Sequence, residues 1–232
     1  LGKKTLAFNI NVISGYDLSL EELKYLMRSL KSEFAILIAS PTSYEIIGKK
    51  IEESLPIKAS IVIKGRAILR QAEEYTAGCR DSPGALIIGV GGGSVIDLSK
   101  YVAQQCSARL IVLPTVLSSN AIASPFSVME SDDGKLITLK TKTPDIILAD
   151  FSILEQQPRR FILSGLGDLL AKYTSLTDYI YSSLIEKGTY DRVAVNLAEG
   201  LLRVAFDNAM LIASGGKDGI ELLLHLLILD GY

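Results

Sequence analysis

ALIIGVGGGSVIDLSKYVAQQ, residues 85–105, is the stretch on which the fold turns. An unbroken apolar run, Ala85 to Val90, enters Gly91-Gly92-Gly93 and passes directly into a segment of helical spacing that begins near Ser94. Near-continuous Val, Ile and Leu imply a strand buried on both faces, as in a parallel sheet covered by helices. Glycines at such a strand-to-helix turn permit positive φ and close backbone approach. The free N–H groups and dipole of the helix start then supply positive potential for an anion such as phosphate. The pattern is neither G-x-G-x-x-G nor a Walker loop. The same residues also read as a tight turn with Ser94 as N-cap and Asp97 completing a capping box.

Outward from this turn, apolar β-type runs alternate with amphipathic ones. FAILIAS (34–40), SIVIKG (60–65) and RLIVLPT (109–115) are separated by helical patterns at 20–31, 43–55, 67–79 and 94–106, which predicts βαβ winding. FSVM, ESDDG and KLITLK (126–140) predict a β-hairpin with Asp133-Gly134 at its tip, and DIILAD (145–150) a further buried strand. After Pro158 the β-type runs stop, and 159–187 and 191–213 carry helical periodicity. The expected fold class is therefore α/β: a Rossmann-like parallel-sheet domain over residues 1–155, followed by an all-helical domain over 156–232. The last segment, DGIELLLHLLILDGY (218–232), is apolar all round and must be buried against something, with no residue after Tyr232 to cover it. The expectation is that the helical domain is incomplete and the chain a fragment.

Composition narrows the function. The 232 residues are 48% hydrophobic and 22% charged, which fits a folded protein. Lysine plus arginine number 24 against 26 acids, a net charge of -2, so no overall positive field exists to hold nucleic acid or an anionic membrane. The apolar runs fall short of the roughly 20 residues that cross a bilayer. Cys79 and Cys106 lack metal-type spacing and the N-terminus lacks a signal pattern, so a cytoplasmic protein is expected. A single histidine excludes a two-histidine metal site built from these residues alone.

LPTVLSSNAIASPFSV (113–128) follows a buried β run, placing Thr115, Ser118, Ser119 and Asn120 at the carboxyl edge of the sheet, where ligands bind; it reads equally as an ordinary serine-rich connection. Ser164-Gly165-Leu166-Gly167-Asp168 opens or interrupts a helix, and Asp168 is either a metal carboxylate or an early-turn acid complementing the helix dipole. His225, among leucines, reads as a core or interface histidine rather than a ligand.

Taken in order, GVGGGSVIDLSKYVA, LPTVLSSNAIASPFSV and ILADFSILEQQPRRFILSGLGDLLAKYTSLTDY resemble the archaeal-type glycerol-1-phosphate dehydrogenases. These belong to the superfamily of iron-containing alcohol dehydrogenases, glycerol dehydrogenases and dehydroquinate synthases. The resemblance spans roughly residues 34 to 230 and implies a cleft between the two domains. It implies that Gly92, Gly93 and Ser94 hold the pyrophosphate of NAD or NADP, with Asp97 and Lys100 completing the family's G-G-G-S-x-x-D-x-x-K pattern. Thr115 and Ser118 would contact the cofactor beside the nicotinamide, and Asp168 would be the first ligand of a catalytic zinc that polarises the substrate hydroxyl. The implied activity is interconversion of dihydroxyacetone phosphate and glycerol 1-phosphate, or of a related polyol, by a homo-oligomer. Two departures accompany it. Asn120-Ala121 stand where the family carries an aspartate and usually a glycine, which puts a neutral amide at a catalytic position. The family's two zinc-binding histidines lie beyond Tyr232, and His225 occupies neither motif. An inactive nucleotide-binding homologue and a dehydroquinate-synthase-like lyase are the alternatives.

Overall fold

The computed structural model of the chain describes residues 10–77 and 85–231. Cys79 lies outside the described residues. The strands are β1 (Asn11–Gly15), β2 (Ala35–Ala39), β3 (Ile57–Val62), β4 (Leu86–Gly91), β5 (Arg109–Pro114), the antiparallel hairpin β6 (Phe126–Glu130) and β7 (Leu136–Lys140), and β8 (Ile146–Asp150). Six of them form one parallel sheet in the order β1-β8-β5-β4-β2-β3. In the central strands successive residues enter two different cores: Ile87, Leu110, Val112 and Ile147 one side, Leu86, Ile88, Ile111 and Leu148 the other. That double burial explains why these strands read as continuous apolar runs.

Helices α1 (Ser19–Ser29), α2 (Pro41–Ser43), α3 (Lys49–Ser54), α4 (Leu69–Ala77) and α5 (Gly93–Gln105) cover the sheet. From Phe151 onward the chain is helical: α6 (Phe151–Leu154), α7 (Arg159–Lys187), α8 (Arg192–Asp207), α9 (Ala209–Ser214) and α10 (Lys217–Asp230). No helix among the described residues is long and apolar enough to cross a membrane.

Several elements differ from their sequence reading. β1 has no counterpart in the sequence reading, since this edge strand carries few apolar residues, and β3 starts before the expected 60–65 run because Ile57 already pairs with Ala35 of β2, and ends at Val62, before Gly65 turns the chain at φ +79°. The pattern at 43–55 divides into α2, a π-helical turn over Tyr44–Gly48, and α3. The segment 191–213 breaks at Asn208, whose side-chain amide donates to the Val204 carbonyl at 2.9 Å. α10 is not left uncovered. Ile220, Leu223, Leu224, Leu226, Leu227 and Ile228 are buried in the same core as α5 and the sheet, with α7, α8 and α9 packed against them. His225 and Leu229 form its exposed side, so His225 is a solvent-facing residue and not a core histidine.

Candidate functional site

The sheet winds in two directions from its middle. β2 leads to its neighbour β3 on one side, and β4 leads to β5 on the other. The crevice beyond the carboxyl ends of β2 and β4 is thus a topological switch point, where ligands of such sheets bind. Ser40 and Ser43 follow β2 there; the Ser43 hydroxyl donates to the Val90 carbonyl at 2.6 Å and ties the two strand ends together.

Gly91 closes β4 at φ +155°, a conformation that excludes other residues, and a Cβ there would lie 2.9 Å from Val95 Cγ2. Gly92 is the N-cap and α5 begins at Gly93. Val95 and Ile96 N–H both donate to the Gly92 carbonyl at 3.1 Å, while the N–H groups of Gly93 and Ser94 precede the first turn that could bond them. The capping box is therefore not formed: Ser94 lies inside the helix and no side chain caps it.

Two cavities adjoin this helix start. One, of about 560 Å³, is lined by Ser40, Thr42, Gly92, Thr115, Ser118, Gln157 and Arg160 among others. The second, of about 570 Å³, is lined by Arg66, Asp97, Ser119, Asn120 and Asp168 among others. Gly93 and Ser94 line both, so the amino end of α5 stands between them.

Lys100 lines neither. Fully buried, it pairs with Asp97 Oδ1 at 2.9 Å and donates to the carbonyls of Ala121 (3.0 Å), Ser124 (3.2 Å) and Phe126. Asp97 Oδ2 accepts from Val128 N–H at 3.2 Å, and apart from the ion pair Oδ1 has no partner among the described residues. Burial pushes the Asp97 carboxyl up and the Lys100 ammonium down, each opposed by the other's charge. Lys100 thus anchors the loop that walls the second cavity, a position from which it does not reach a ligand in the cleft.

Asn120 sits at the centre of a second network. Its backbone N–H donates to Asp168 Oδ2 at 2.9 Å and its side-chain amide to Asp230 Oδ2 at 2.8 Å, while Lys172 Nζ lies 2.9 Å from Asp230 Oδ1. Burial raises the Asp168 carboxyl, the Asn120 N–H opposes that, the neighbouring Asp230 adds to it and Lys172 opposes it. Gly165 and Gly167 do not interrupt α7, which runs unbroken through them. Gly165 lets α7 press on the loop after β5, and Ser164 Oγ and Gln157 Oε1 bond that loop at Ser118 O (3.1 Å) and Leu117 N (2.7 Å). Lys172, Asp230 and Gln157 escaped the sequence reading; the only signal was an acid closing the apolar run LLILD.

Residues 17–158 match the family described as iron-containing alcohol dehydrogenase. The chain belongs to that family. Among relatives of this iron-containing alcohol dehydrogenase family member is the glycerol-1-phosphate dehydrogenase [NAD(P)+] of Sulfolobus acidocaldarius, 31% identical over 95% of this chain and 63% of its own length. That of Staphylothermus marinus is 33% identical over 84% and 56%. The chain thus spans about three fifths of the length of these relatives. Among solved structures, glycerol dehydrogenase from Schizosaccharomyces pombe superposes with a TM-score of 0.77 at 24% identity, over 96% of this chain and 59% of that one. A sulfoacetaldehyde reductase from Bifidobacterium kashiwanohense in complex with NAD+ gives 0.74 at 15%, over 98% and 65%. These likenesses show the fold.

The family's metal can be tested against the donors that the structure brings together. Among the described residues no group of three or more His, Cys, Asp or Glu converges. Asp168 and Asp230 flank Asn120, and Asp230 is already paired with Lys172. Two carboxylates, one neutralised, do not fit zinc, which takes three or four protein ligands.

Proposed function

We propose that this protein is an NAD(P)-dependent oxidoreductase that interconverts dihydroxyacetone phosphate and glycerol 1-phosphate or a related polyol, acting in the cytoplasm. The observation that carries the reading is the uncapped amino end of α5 at the switch point, open to a cavity on either side. Gly92, Gly93 and Ser94 would hold the pyrophosphate through backbone N–H groups, aided by the helix dipole. Thr115 and Ser118 would border the cofactor, whose nicotinamide accepts or gives the hydride. The second cavity would take the substrate beside Asn120 and Asp168, with Arg66 supplying positive charge for its phosphate. Asp97 serves that wall from within, through Lys100. The resemblance brings zinc to Asp168, but the converging donors do not fit it, and no step here passes through the metal.

A second reading, a nucleotide-binding homologue altered in catalysis, is favoured by Asn120. Its neutral amide takes up no proton near neutral pH, and its N–H is engaged with Asp230. Calorimetric titration with NAD+ and NADP+, followed by a hydride-transfer assay with glycerol 1-phosphate, separates the two. Binding with turnover supports the dehydrogenase; binding without turnover supports the second reading; absence of nucleotide binding overturns both.

A further inference from the structure

The turn over Asn120–Ile122 is gripped by several elements at once. Lys100 holds the carbonyls of Ala121 and Ser124, and Asp168 on α7 takes the Asn120 N–H. The end of α10 presses on the same turn, since a Cβ at Gly231 would lie 2.9 Å from both Ala123 Cβ and Ser124 N. Those contacts fix the backbone. The Asn120 side chain has an anchor of its own, the carboxylate of Asp230, which is 3% exposed at the last residue of α10. Lys172, one helical turn beyond Asp168 on α7, meets one oxygen of that carboxylate and the Asn120 amide meets the other.

This arrangement decides which way the amide faces. An amide has a donating arm and an accepting arm, whereas a carboxylate held by an ammonium accepts and does not donate. The Asn120 nitrogen therefore turns to Asp230, at 2.8 Å, and the oxygen is the arm left over. Among the described residues Asn120 Oδ1 has no hydrogen-bond partner, yet it is not a buried orphan as Asp97 Oδ1 is. It is an open acceptor on a residue that lines the second cavity, beside Asp168 and across from Arg66.

We propose that Asp230, charged against Lys172, is a positioning residue: it turns the Asn120 amide so that its oxygen faces the second cavity, where it accepts a hydrogen bond from a hydroxyl of the polyol. The inference rests on the dehydrogenase reading and deepens it. Asn120 orients the hydroxyl and does not deprotonate it, so its neutrality is no obstacle to this role. A carboxylate at position 120 would meet Asp230 as a like charge. The amide and the Lys172–Asp230 pair thus form a matched set.

Calorimetric titration of the NAD+-loaded chain with glycerol 1-phosphate tests this. In Asp230→Asn the Lys172 ammonium takes the oxygen of the new amide, whose nitrogen then faces Asn120, and the Asn120 amide turns over to put its donors into the cavity. Glycerol 1-phosphate is expected to bind about tenfold more weakly, the loss of one hydrogen bond, with NAD+ affinity and circular dichroism unchanged. Asn120→Ala removes the acceptor without touching the Lys172–Asp230 pair, and is expected to lose as much whatever that pair contributes to folding. Asp230→Asn combined with Asn120→Asp exchanges the two groups, keeps the number of charges and again leaves an accepting oxygen toward the cavity, so binding is expected to recover. Unchanged glycerol 1-phosphate affinity in either single variant, or a double variant that binds no better than Asp230→Asn, overturns the inference and leaves the dehydrogenase reading standing. An unaltered chain that binds no NAD+, or binds NAD+ and no glycerol 1-phosphate, overturns that reading and the inference with it.

Discussion

A side chain at position 93 would enter space the folded chain leaves open, with Cβ 3.6 Å from Ser119 Oγ and 3.7 Å from Ala121 Cβ. Gly93→Val is therefore expected to fold with little loss of stability yet to lose NAD+ binding, because the branched side chain occupies the approach to the Gly93 and Ser94 amides. An unchanged titration curve would detach the glycine turn from pyrophosphate binding. Gly165 and Gly167 look alike in the sequence and diverge in the structure. A Cβ at Gly165 would lie 2.2 Å from the Leu117 carbonyl oxygen, whereas at Gly167 it meets nothing within 4 Å. Urea denaturation should show Gly165→Ala destabilised by about 1–3 kcal/mol, the range of overpacking. Gly167→Ala should be stabilised by about 0.5–1 kcal/mol through helix propensity. Lys100→Met leaves the Asp97 carboxylate buried without its cation, a change that costs about 3–5 kcal/mol where a buried pair loses one partner. The glycine turn was legible because three consecutive glycines after a buried strand have few uses. The inward role of Lys100 was not, since a residue number says nothing about which of two sides of a helix meets a loop folded back from 21 positions later.

Asp150 shows what an element end can hold. As N-cap of α6 it accepts from Ser152 N–H at 3.0 Å, and it also accepts from Asp17 N–H and Ser19 N–H, both at 3.1 Å, and from the Ser19 hydroxyl at 2.5 Å. Burial alone would raise its carboxyl, but the bonds from Ser19 and Ser152 outweigh that and hold it below the ordinary range. A depressed carboxylate contributes stability that is present above its unfolded pKa of about 3.9 and is lost as pH falls through the folded value. Asp150→Asn is expected to lower stability at neutral pH by roughly 2 kcal/mol and to flatten the loss on acidification, followed by melting temperature between pH 7 and pH 3. An unaltered acid limb in the variant would assign that limb to other groups. Strong local patterns, such as α7 over 159–187 and the hairpin with Gly134 at φ +77°, were readable without context. The edge strand β1 and the π-helical turn were not, because their pairing partners, and not their own spacing, make them what they are.

Sheet and helices share one core. Val112 on β5, Leu117 and Ile122 in the following loop, Leu166 on α7 and Leu223 and Leu227 on α10 belong to a single buried cluster. Thermal unfolding followed by far-ultraviolet circular dichroism and by tyrosine absorbance is therefore expected to give one coincident transition. Two separated transitions would show that the layers are held apart more than this core implies.

From the sequence alone came the α/β class, the parallel strands, the glycine turn and the family resemblance, all of which rest on short-range pattern: runs, periods and backbone freedom. Only the tertiary structure decided that α10 is covered within the chain and that Lys100 points into the loop. It also placed Asn120, Asp168, Asp230 and Lys172 in one network. These are contacts between segments up to 110 positions apart, set by how helices pack on the sheet rather than by any residue's neighbours in the chain.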